Sequence, residues 1–277
     1  MRFAKVYLEI SNLCNLSCRF CPGTKRPKGR MDGDRLSLIL EKLKGYTEFV
    51  YFHLMGEPLL HPELSRFLAL AQDYGFKVIL TTNGTLLEDR KELLLSSPAV
   101  HKVNISLHAF EANDLSVPFE TYVDGCLDYG KAAQGQKLTV YRLWNEGGEN
   151  AQNAAILEKL KKAFPKPWKD GRKGTQLAPK VYLEPGEKFD WPDLSAPEED
   201  GPYFCYGLRD QIGILWDGTV VPCCLDHEGD IPLGNLLTQS MEEILESDRA
   251  KAIYDGFSKK EAAEPLCRRC GYARRFK

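Results

Sequence analysis

The sequence predicts an α/β fold in which a partial (β/α)6 barrel is followed by a small C-terminal α+β domain, a β-hairpin plus a helix. Two observations support this prediction. Six apolar, strand-like segments alternate with segments of helical periodicity over the first two thirds of the chain. Beyond Gly201 the pattern changes to two β-rich runs joined by Asp217-Gly218, a common hairpin turn.

The elements of the predicted barrel follow one another along the chain. Strands are predicted at residues 6–10, 49–55, 77–82, 102–108, 137–144 and 181–184. Helices are predicted at residues 34–43, 63–74, 88–96, 122–132 and 153–164. Short connections between alternating strands and helices indicate parallel strands. Six such units are two short of a closed barrel, so we expect an open, TIM-like sheet with its site at the carboxyl ends of the strands.

The rest of the chain contains a connector and the small domain. Residues 164–200 are rich in proline and glycine, which indicates a loop-rich connector interrupted by the sixth strand. A hairpin at residues 211–223 and a helix at 241–254 follow it. We therefore predict two domains, residues 1–195 and 196–277.

The composition is that of an ordinary globular protein and argues against several partners. Hydrophobic residues make up 43% of the chain, and 37 basic residues are balanced by 39 acidic ones. A net charge of −2 provides no basic field for nucleic acid. The amino terminus is too short and too charged for a signal peptide, and no apolar run approaches the roughly 18 residues of a membrane span. We expect a cytoplasmic protein that binds neither nucleic acid nor membrane.

Three cysteines lie within eight residues, directly after the first strand. They are Cys14, Cys18 and Cys21. Thiolates are the usual ligands of iron–sulfur clusters, whereas a structural zinc site is normally closed by a fourth ligand, and none lies nearby in the sequence. Three cysteines supply three of the four ligands of a 4Fe–4S cluster. The spacing therefore predicts a cluster with one iron open to a group other than protein.

A second group of cysteines lies in the small domain. It consists of Cys205, Cys223, Cys267 and Cys270. A reducing cytosol argues against disulfides and favours a metal site. Cys267-x2-Cys270 is also the pattern of half a zinc ribbon, so zinc remains the alternative here. Cys224 stands beside Cys223 and could replace it as a ligand, whereas Cys126 lies in a helical pattern and is expected in the core.

Polar side chains collect on the inner face of the predicted barrel. Asn104, Ser106 and His108 alternate with apolar residues in the fourth strand, so they share one face. We expect that face to line the barrel. Arg142 in the fifth strand is placed inside because a guanidinium is unfavourable against the helix layer. We expect Glu9 and Tyr141 to lie inside the barrel as well.

The N-terminal motif resembles a known family signature. Cys14-x3-Cys18-x2-Cys21, with Phe20 before the last cysteine, is similar to the signature of the radical S-adenosylmethionine (SAM) superfamily. The resemblance implies that the open iron binds SAM and that reductive cleavage yields a 5′-deoxyadenosyl radical. It also implies a reductant such as flavodoxin or ferredoxin.

Further matches lie at successive strand ends, over roughly residues 4–195. Residues 55–58 (MGEP) resemble the family's Gly-Gly-Glu-Pro motif with Met for the first Gly, and residues 81–84 (TTNG) end the third strand. The resemblance implies SAM contacts at Phe20, Gly56, Glu57, Asn83, Ser106 and Arg142. Glu57 and the backbone at Gly56 would accept hydrogen bonds from the SAM ammonium, and Arg142 would pair with its carboxylate. The other three would contact adenine, ribose or carboxylate.

The second half resembles the twitch domain, a shortened form of the SPASM auxiliary-cluster domain. The pattern is Cys205, then Gly218-x4-Cys223, then Cys267-x2-Cys270. It implies one auxiliary 4Fe–4S cluster with these four cysteines as ligands, and its register favours Cys223 over Cys224. Within this branch the chain is similar to the aminocyclitol dehydrogenase of butirosin biosynthesis, because residues 52–60 (FHLMGEPLL) and the cysteine spacing match.

The resemblance leaves three functions open. The first is a radical SAM oxidoreductase that completes a two-electron oxidation through the auxiliary cluster, acting on a small polyol or aminocyclitol. The second is a maturase of ribosomally made peptides; such enzymes commonly begin with a leader-recognition domain, whereas here the first strand begins near residue 4. The third is a non-catalytic iron–sulfur protein for electron transfer or scaffolding. The residue that accepts the substrate proton stays open among His108, Glu9 and Tyr141.

Overall fold

The computed structural model describes residues 2–171, 174–198 and 201–276, and its strands form one mixed sheet. The strands are β1 (Lys5–Leu8), β2 (Phe49–Tyr51), β3 (Lys77–Thr82), β4 (Val100–Ser106), β5 (Leu138–Glu146), β6 (Lys169–Gly171), β7 (Gly174–Ala178), β8 (Val181–Glu187), β9 (Gln211–Ile214), β10 (Thr219–Val221) and β11 (Gly234–Asn235). The α-helices are α1 (Gly33–Leu43), α2 (Leu64–Asp73), α3 (Leu87–Ser96), α4 (Phe119–Ala133), α5 (Asn153–Ala163), α6 (Met241–Leu245) and α7 (Asp248–Ser258). None of the helices in these ranges is both long and apolar enough to cross a bilayer.

Six parallel strands form the body of the sheet, in the order β1-β2-β3-β4-β5-β8. Helices α1 to α4 each connect one of these strands to the next, and α5 lies on the longer path from β5 to β8. The sheet stays open in the described part of the chain, with β11 at one edge and β6 at the other. The predicted α/β fold with a partial barrel is confirmed.

The predicted C-terminal hairpin is also confirmed, and it extends the barrel sheet. Strand β9 pairs in parallel with β1, placing Lys5 opposite Gln211 and Leu8 opposite Ile214. Strands β10 and β11 continue antiparallel beyond it. The turn glycine, Gly218, has φ +88°, a conformation that side chains disfavour. The domain boundary at residue 195 remains a prediction, and the hydrogen-bonded sheet runs across it.

The strands bury one face against the helices and turn the other inward. Val6 and Leu8 are fully buried in the main core, whereas Tyr7 between them belongs to a separate apolar cluster on the opposite face. Helix α1 packs on the outer face and begins after Asp32, whose carboxylate accepts a hydrogen bond from the Arg35 backbone N–H at 2.8 Å. The inner face is thereby left for the site.

Several predicted elements differ from the structure in extent. The second strand ends at Tyr51 rather than residue 55, because the chain then turns to bring Gly56 under the cysteine loop. The connector contains the hairpin β6–β7, and β7 pairs antiparallel with β8. Residues 172–173 and 199–200 of the connector lie outside the described residues. The helix predicted at 241–254 is two helices, because Ser247 caps α7 by accepting from the Ala250 N–H.

The placement of Tyr141 inside the barrel is wrong. Successive strand residues point to opposite faces, so Tyr141 and Arg142 cannot both point inward. Tyr141 is fully buried on the helix side and donates to the carbonyl of Cys126 at 3.1 Å, whereas Arg142 lines the inner cavity. Cys126 is a buried core residue, as predicted. Strand β4 ends at Ser106, and His108 follows in a 3-10 turn.

A buried ion pair ties β1 to the loops at the carboxyl end of the sheet. Glu9 is fully buried, and Arg26 donates to its two oxygens at 2.9 and 2.5 Å. The Trp216 N–H adds a 3.3 Å bond to the same carboxylate, while Arg26 Nε donates to the carbonyl of His227 at 2.8 Å. The pair therefore joins the cysteine-bearing loop, β1 and the C-terminal segment.

Removal of Arg26 is expected to destabilise the protein. Arg26→Met leaves Glu9 buried without a counter-charge, a change that costs about 3–5 kcal/mol in the free energy of unfolding. The matched control is Arg2→Met, which breaks an exposed pair with Glu48 and should cost about 0–1 kcal/mol. Urea unfolding of reconstituted protein at matched iron content measures the free energy of unfolding of both variants. Equal losses of stability in the two would contradict the expectation.

The same variant should show a defined pH dependence. Burial raises the pKa of Glu9, and Arg26 opposes that rise. Without Arg26 the folded chain binds the Glu9 proton more tightly than the unfolded chain, so protonation stabilises the folded state. Arg26→Met should therefore lose stability relative to the wild type as the pH rises beyond the folded-state pKa of wild-type Glu9, which already lies above the ordinary 4.5.

Candidate active site and metal centres

The loop of Cys14, Cys18 and Cys21 rests directly on the turn after β2. Gly56 has φ +79°, and a Cβ there would lie 2.4 Å from the carbonyl oxygen of Ser11. The Glu57 N–H donates to the carbonyl of Leu13 at 2.8 Å. Only glycine permits this close approach, so the Met-Gly-Glu-Pro segment supports the loop from below.

The Glu57 carboxylate holds neighbouring strand ends together. It is 2% exposed and accepts backbone hydrogen bonds from Leu59 at 3.0 Å and Asn83 at 2.8 Å. Burial raises its pKa to about 7. The Asn83 amide in turn donates to Asn15 Oδ1 at 2.9 Å and faces Cys14 Sγ at 3.8 Å. The structure thus places Gly56, Glu57 and Asn83 beneath the cysteine loop, with the Glu57 side chain turned toward the backbone.

The thiols of this loop are surrounded by N–H donors. The Leu16 N–H lies 3.4 Å from Cys14 Sγ, and Asn113 Nδ2 lies 3.1 Å from Cys18 Sγ. Burial raises the pKa of Cys18 to about 11. A bound cluster deprotonates its thiols and leaves them negative, a state that N–H donors stabilise. The donor set and its surroundings fit an iron–sulfur cluster.

A cavity of about 400 Å³ lies beside the cysteine loop and extends along the inner face of the sheet, from Ser106 at the end of β4 to Lys5 at the start of β1. Phe20, Ser106 and Arg142 line it, so three of the predicted SAM contacts share one space. Arg142 donates through Nε to Glu184 at 3.1 Å and lies 4.3 Å from the Trp144 ring, which fixes its orientation. These contacts hold the Arg142 side chain at the cavity wall.

The four cysteines of the small domain meet in a second, apolar pocket. Cys205, Cys223, Cys267 and Cys270 line it together with aromatic and aliphatic side chains. Burial raises the pKa of Cys223 well above its usual value, and the neighbouring thiols raise it further. Cys224 lines the 400 Å³ cavity instead, where Tyr7 also lies.

The donor chemistry of the second pocket also fits a cluster. In the described ranges, no three His, Cys, Asp or Glu side chains converge closely enough to hold a single metal ion. That geometry describes one ion, whereas the thiolates of a 4Fe–4S cluster bind four different irons. Four thiols around an apolar pocket provide the full protein ligand set of such a cluster.

The three candidates for the proton acceptor occupy different places. Tyr141 faces the helix layer, and the Glu9 oxygens are engaged by Arg26 and the Trp216 N–H. His108 lines the cavity and lies with its ring centroid 4.9 Å from that of Phe20. Of the three, only His108 faces the space between the predicted SAM contacts and Cys224.

The ring nitrogens of His108 have distinct roles. Nδ1 lies 3.1 Å from the carbonyl oxygen of Arg142, which can only accept, so Nδ1 carries the hydrogen. The Trp144 N–H, at a longer 3.4 Å from Nδ1, cannot also donate to it in this tautomer. Nε2 therefore keeps its lone pair, and burial lowers the pKa of the ring to about 4.

The structure adds cavity residues that the sequence reasoning missed. Tyr7 and Tyr51 line the cavity from β1 and β2, and the period-2 alternation of those strands could have revealed them. His53 also lines it, and its buried Nδ1 has no hydrogen-bond partner among the residues that the structure describes. Phe189 and Trp191 come from the connector, where Trp191 donates to the carbonyl of Phe20 at 3.1 Å. No sequence pattern marked those two.

Fold and site together define a class: an α/β barrel enzyme with one thiol-bearing loop at the strand ends and a second four-thiol pocket beside it. Comparison with known families agrees. The model of the radical SAM superfamily matches residues 8–170, and that of the SPASM iron–sulfur cluster-binding domain matches residues 205–271. The chain belongs to the radical SAM superfamily. SAM and a 4Fe–4S cluster are the cofactors of this family, and the SPASM domain adds auxiliary iron–sulfur binding.

Several characterised proteins share part of the sequence. The S-adenosyl-L-methionine-dependent 2-deoxy-scyllo-inosamine dehydrogenase of Niallia circulans is 27% identical over 114 residues, 39% of this chain and 46% of that protein. The GTP 3′,8-cyclase of a Synechococcus strain is 32% identical over 182 residues, 64% of this chain and 50% of that protein. The chain thus spans about half the length of these curated relatives.

Solved structures share the fold over nearly the whole chain. BtrN in complex with AdoMet and 2-DOIA aligns with a TM-score of 0.65 and 19% identity, covering 98% of this chain and 93% of that one. SuiB from Streptococcus suis, bound to the precursor peptide SuiA, aligns with a TM-score of 0.62 and 15% identity, covering 98% and 70%. At these identities the likeness shows the fold alone.

The contact under the cysteine loop predicts the effect of a single methyl group. Gly56→Ala should displace residues 11–13 and lower bound iron toward the about four atoms of the auxiliary site, because its Cβ would overlap the Ser11 carbonyl. Gly75→Ala is the matched control, since Gly75 has φ +80° with open space around it and should cost only about 1–2 kcal/mol. Iron analysis after anaerobic reconstitution measures the iron bound by each variant, and Gly75→Ala should keep the wild-type content. Full iron content in Gly56→Ala would refute the proposed support.

Proposed function

We propose that this chain is a radical SAM dehydrogenase that oxidises a small hydroxylated substrate by two electrons. One observation supports the proposal above the others: a single cavity extends from Phe20, Ser106 and Arg142 to Cys224, the neighbour of Cys223. The cavity and the four-thiol pocket also share the lining residues Gln211, Leu225 and Tyr272. A substrate in this space would lie between the two redox centres.

When bound, SAM and the two clusters would supply the redox chemistry, namely a radical for hydrogen abstraction and an acceptor for the second electron. Cys14, Cys18 and Cys21 would hold the first cluster. Cys205, Cys223, Cys267 and Cys270 would hold the second, with Cys223 rather than Cys224 as the ligand because Cys224 faces the cavity.

The chain's own residues would bind and orient SAM. Arg142, held by Glu184, presents guanidinium nitrogens to the SAM carboxylate, and Ser106 adds a hydroxyl. Phe20 offers a ring face for adenine. The Glu57 carboxylate is already bonded to backbone N–H groups, so its part is to shape the loop, and contact with the SAM ammonium falls to the backbone near Gly56.

The size and lining of the cavity bear on the substrate. The whole cavity measures about 400 Å³. SAM would fill the end lined by Phe20, Ser106 and Arg142, so the space that remains suits a small molecule or one side chain. Aromatic rings such as Tyr7, Tyr51 and Trp144 can cover the C–H faces of a ring compound. The matched dehydrogenase acts on 2-deoxy-scyllo-inosamine, so a polyol or aminocyclitol is the first candidate.

A residue of a peptide is the second candidate. Two solved structures of the same fold contain peptides, the SuiA precursor on SuiB and a Cp18Cys peptide on anSMEcpe. One side chain would fit the remaining space as well as a small ring. A flavodoxin or ferredoxin is the proposed reductant for either substrate.

The proton released with the second electron would go to His108. Its Nε2 holds a lone pair, and its pKa of about 4 keeps the ring neutral at physiological pH. Tyr141 and Glu9 lack access to the cavity. His108 thus combines the right protonation state with the right position.

The cluster assignment is tested by iron content and by SAM cleavage. Reconstituted protein should hold about eight irons, and with dithionite and SAM it should release 5′-deoxyadenosine slowly. Replacing Cys14, Cys18 and Cys21 together by Ala should abolish that release. Cys267→Ala should keep the release and lose oxidised product. Well-reconstituted protein that releases no 5′-deoxyadenosine would favour an electron-transfer or scaffold protein instead.

The substrate class is tested by hydrogen transfer. Polyols and aminocyclitols deuterated at the carbinol carbon are offered beside short peptides deuterated at Cα and Cβ. Deuterium in 5′-deoxyadenosine from a ring compound, with the ketone as product, supports the first candidate. Transfer from a peptide alone would exclude it and support the second.

His108→Gln should separate the two half-steps. Cleavage of SAM and deuterium transfer should persist, while product formation falls about 10²-fold or more because the proton acceptor is lost. In the wild type, product formation should be independent of this group between pH 6 and 8 and fall as the pH approaches 4, where the ring becomes protonated. Product at the wild-type rate in His108→Gln would remove His108 from the mechanism.

A further inference from the structure

The segment after β4 packs against the cysteine loop through one carboxamide. Asn113 Oδ1 accepts a hydrogen bond from the Ser17 N–H at 3.1 Å. Asn113 Nδ2 donates to Cys18 Sγ at 3.1 Å and to the carbonyl of Ala109 at 2.7 Å. One side chain therefore satisfies three groups, two of which belong to the loop that carries the thiols.

The partners determine which way the amide faces. Only the oxygen can accept from the Ser17 N–H, and only the nitrogen can donate to the Ala109 carbonyl. The remaining hydrogen of Nδ2 then points at the Cys18 sulfur. The opposite orientation would set the amide oxygen against both a carbonyl and a thiolate.

Neighbouring contacts keep the two segments together. The Arg19 N–H donates to the carbonyl of Ala112 at 3.1 Å, and the Arg19 guanidinium donates to the carbonyl of Glu111. Glu149 holds the same guanidinium at 2.8 Å. Asn113 thus lies on a fixed backbone rather than at a free loop tip.

The contact at Cys18 is the closest side-chain donor to a thiol of this loop. Asn83 Nδ2 lies 3.8 Å from Cys14 Sγ and is engaged more closely by Asn15 at 2.9 Å. The distance at Cys18 is 3.1 Å, and no nearer acceptor is shown for that hydrogen in the described residues. Asn113 is therefore the donor with the stronger effect on a thiolate.

We propose that Asn113 is a positioning residue for the first cluster, holding the Cys18 sulfur and making the cluster easier to reduce. The inference rests on the proposed function, since it takes Cys18 as a cluster ligand. Reduction adds negative charge to the cluster and its thiolates. An N–H donor stabilises the more negative state more strongly, so the hydrogen bond raises the reduction potential.

The test is a potentiometric EPR titration of the reconstituted holoenzyme. The signal that changes on addition of SAM reports the first cluster, and the unresponsive signal reports the auxiliary cluster as an internal reference. In Asn113→Leu the ratio of reduced to oxidised first cluster, at the wild-type midpoint, should fall about fivefold, the factor of one net hydrogen bond. The auxiliary cluster should keep its wild-type ratio.

Two further variants separate the hydrogen bond from charge. Asn113→Asp keeps the acceptor for the Ser17 N–H but turns a carboxylate oxygen toward Cys18, so the ratio should fall further than in Asn113→Leu. Asn150→Asp adds the same charge at an exposed site and should leave both clusters unchanged. A wild-type ratio in Asn113→Leu, or equal shifts of both clusters, would overturn the proposal.

If the variants lose the first cluster, a measurement on the wild-type protein tests the proposal instead. Pulsed EPR of the reduced first cluster, with ¹⁵N in the asparagine side chains, should show two weak nitrogen couplings, the stronger from Asn113 at 3.1 Å and the weaker from Asn83 at 3.8 Å. Absence of the stronger coupling would overturn the proposal. Wild-type protein without any SAM-responsive cluster would instead refute the proposed function, so the two failures are distinguishable.

Discussion

The whole site depends on one close backbone contact, between Gly56 and residues 11–13 of the cysteine loop. Residues 12–21 form neither helix nor strand, so neighbouring groups determine their shape. The turn after β2 supplies the support because Gly56 has no side chain and Glu57 pins the next strand end through the Asn83 N–H. A loop held in this way can present three thiols in a fixed arrangement without a regular ladder.

Continuity of the sheet explains how the four-thiol pocket comes to adjoin the cavity of the barrel. Strand β9 runs parallel to β1 and β10 runs back antiparallel, so β10 ends opposite Gly213, level with Tyr7, and the chain continues toward the amino end of β1. The two adjacent cysteines line different spaces. Cys223 lines the four-thiol pocket, and Cys224 lines the cavity together with Tyr7. The Glu9–Arg26 pair stabilises the same junction, since Arg26 also bonds to the carbonyl of His227. The small domain is part of the active-site wall.

Predictions from short-range sequence patterns succeeded here, whereas the positions of individual side chains in the cavity were predicted less well. The cysteine spacing, the Gly-Glu-Pro turn and the strand–helix alternation are local patterns, and the fold and family they indicate are confirmed. Tyr141 was misplaced because one strand cannot turn neighbouring residues to the same face. His53 was missed because it lines the cavity from the irregular segment after β2, where no periodicity applies.

The sequence by itself determined the family and the order of the barrel elements, because both depend on residue type and short-range spacing. Only the tertiary structure decided which side chains share the cavity. Trp191, Asn113 and Cys224 reach the site from a connector, a post-strand loop and a hairpin end, far apart along the chain. Their meeting is a consequence of sheet pairing and loop packing, which no local pattern encodes.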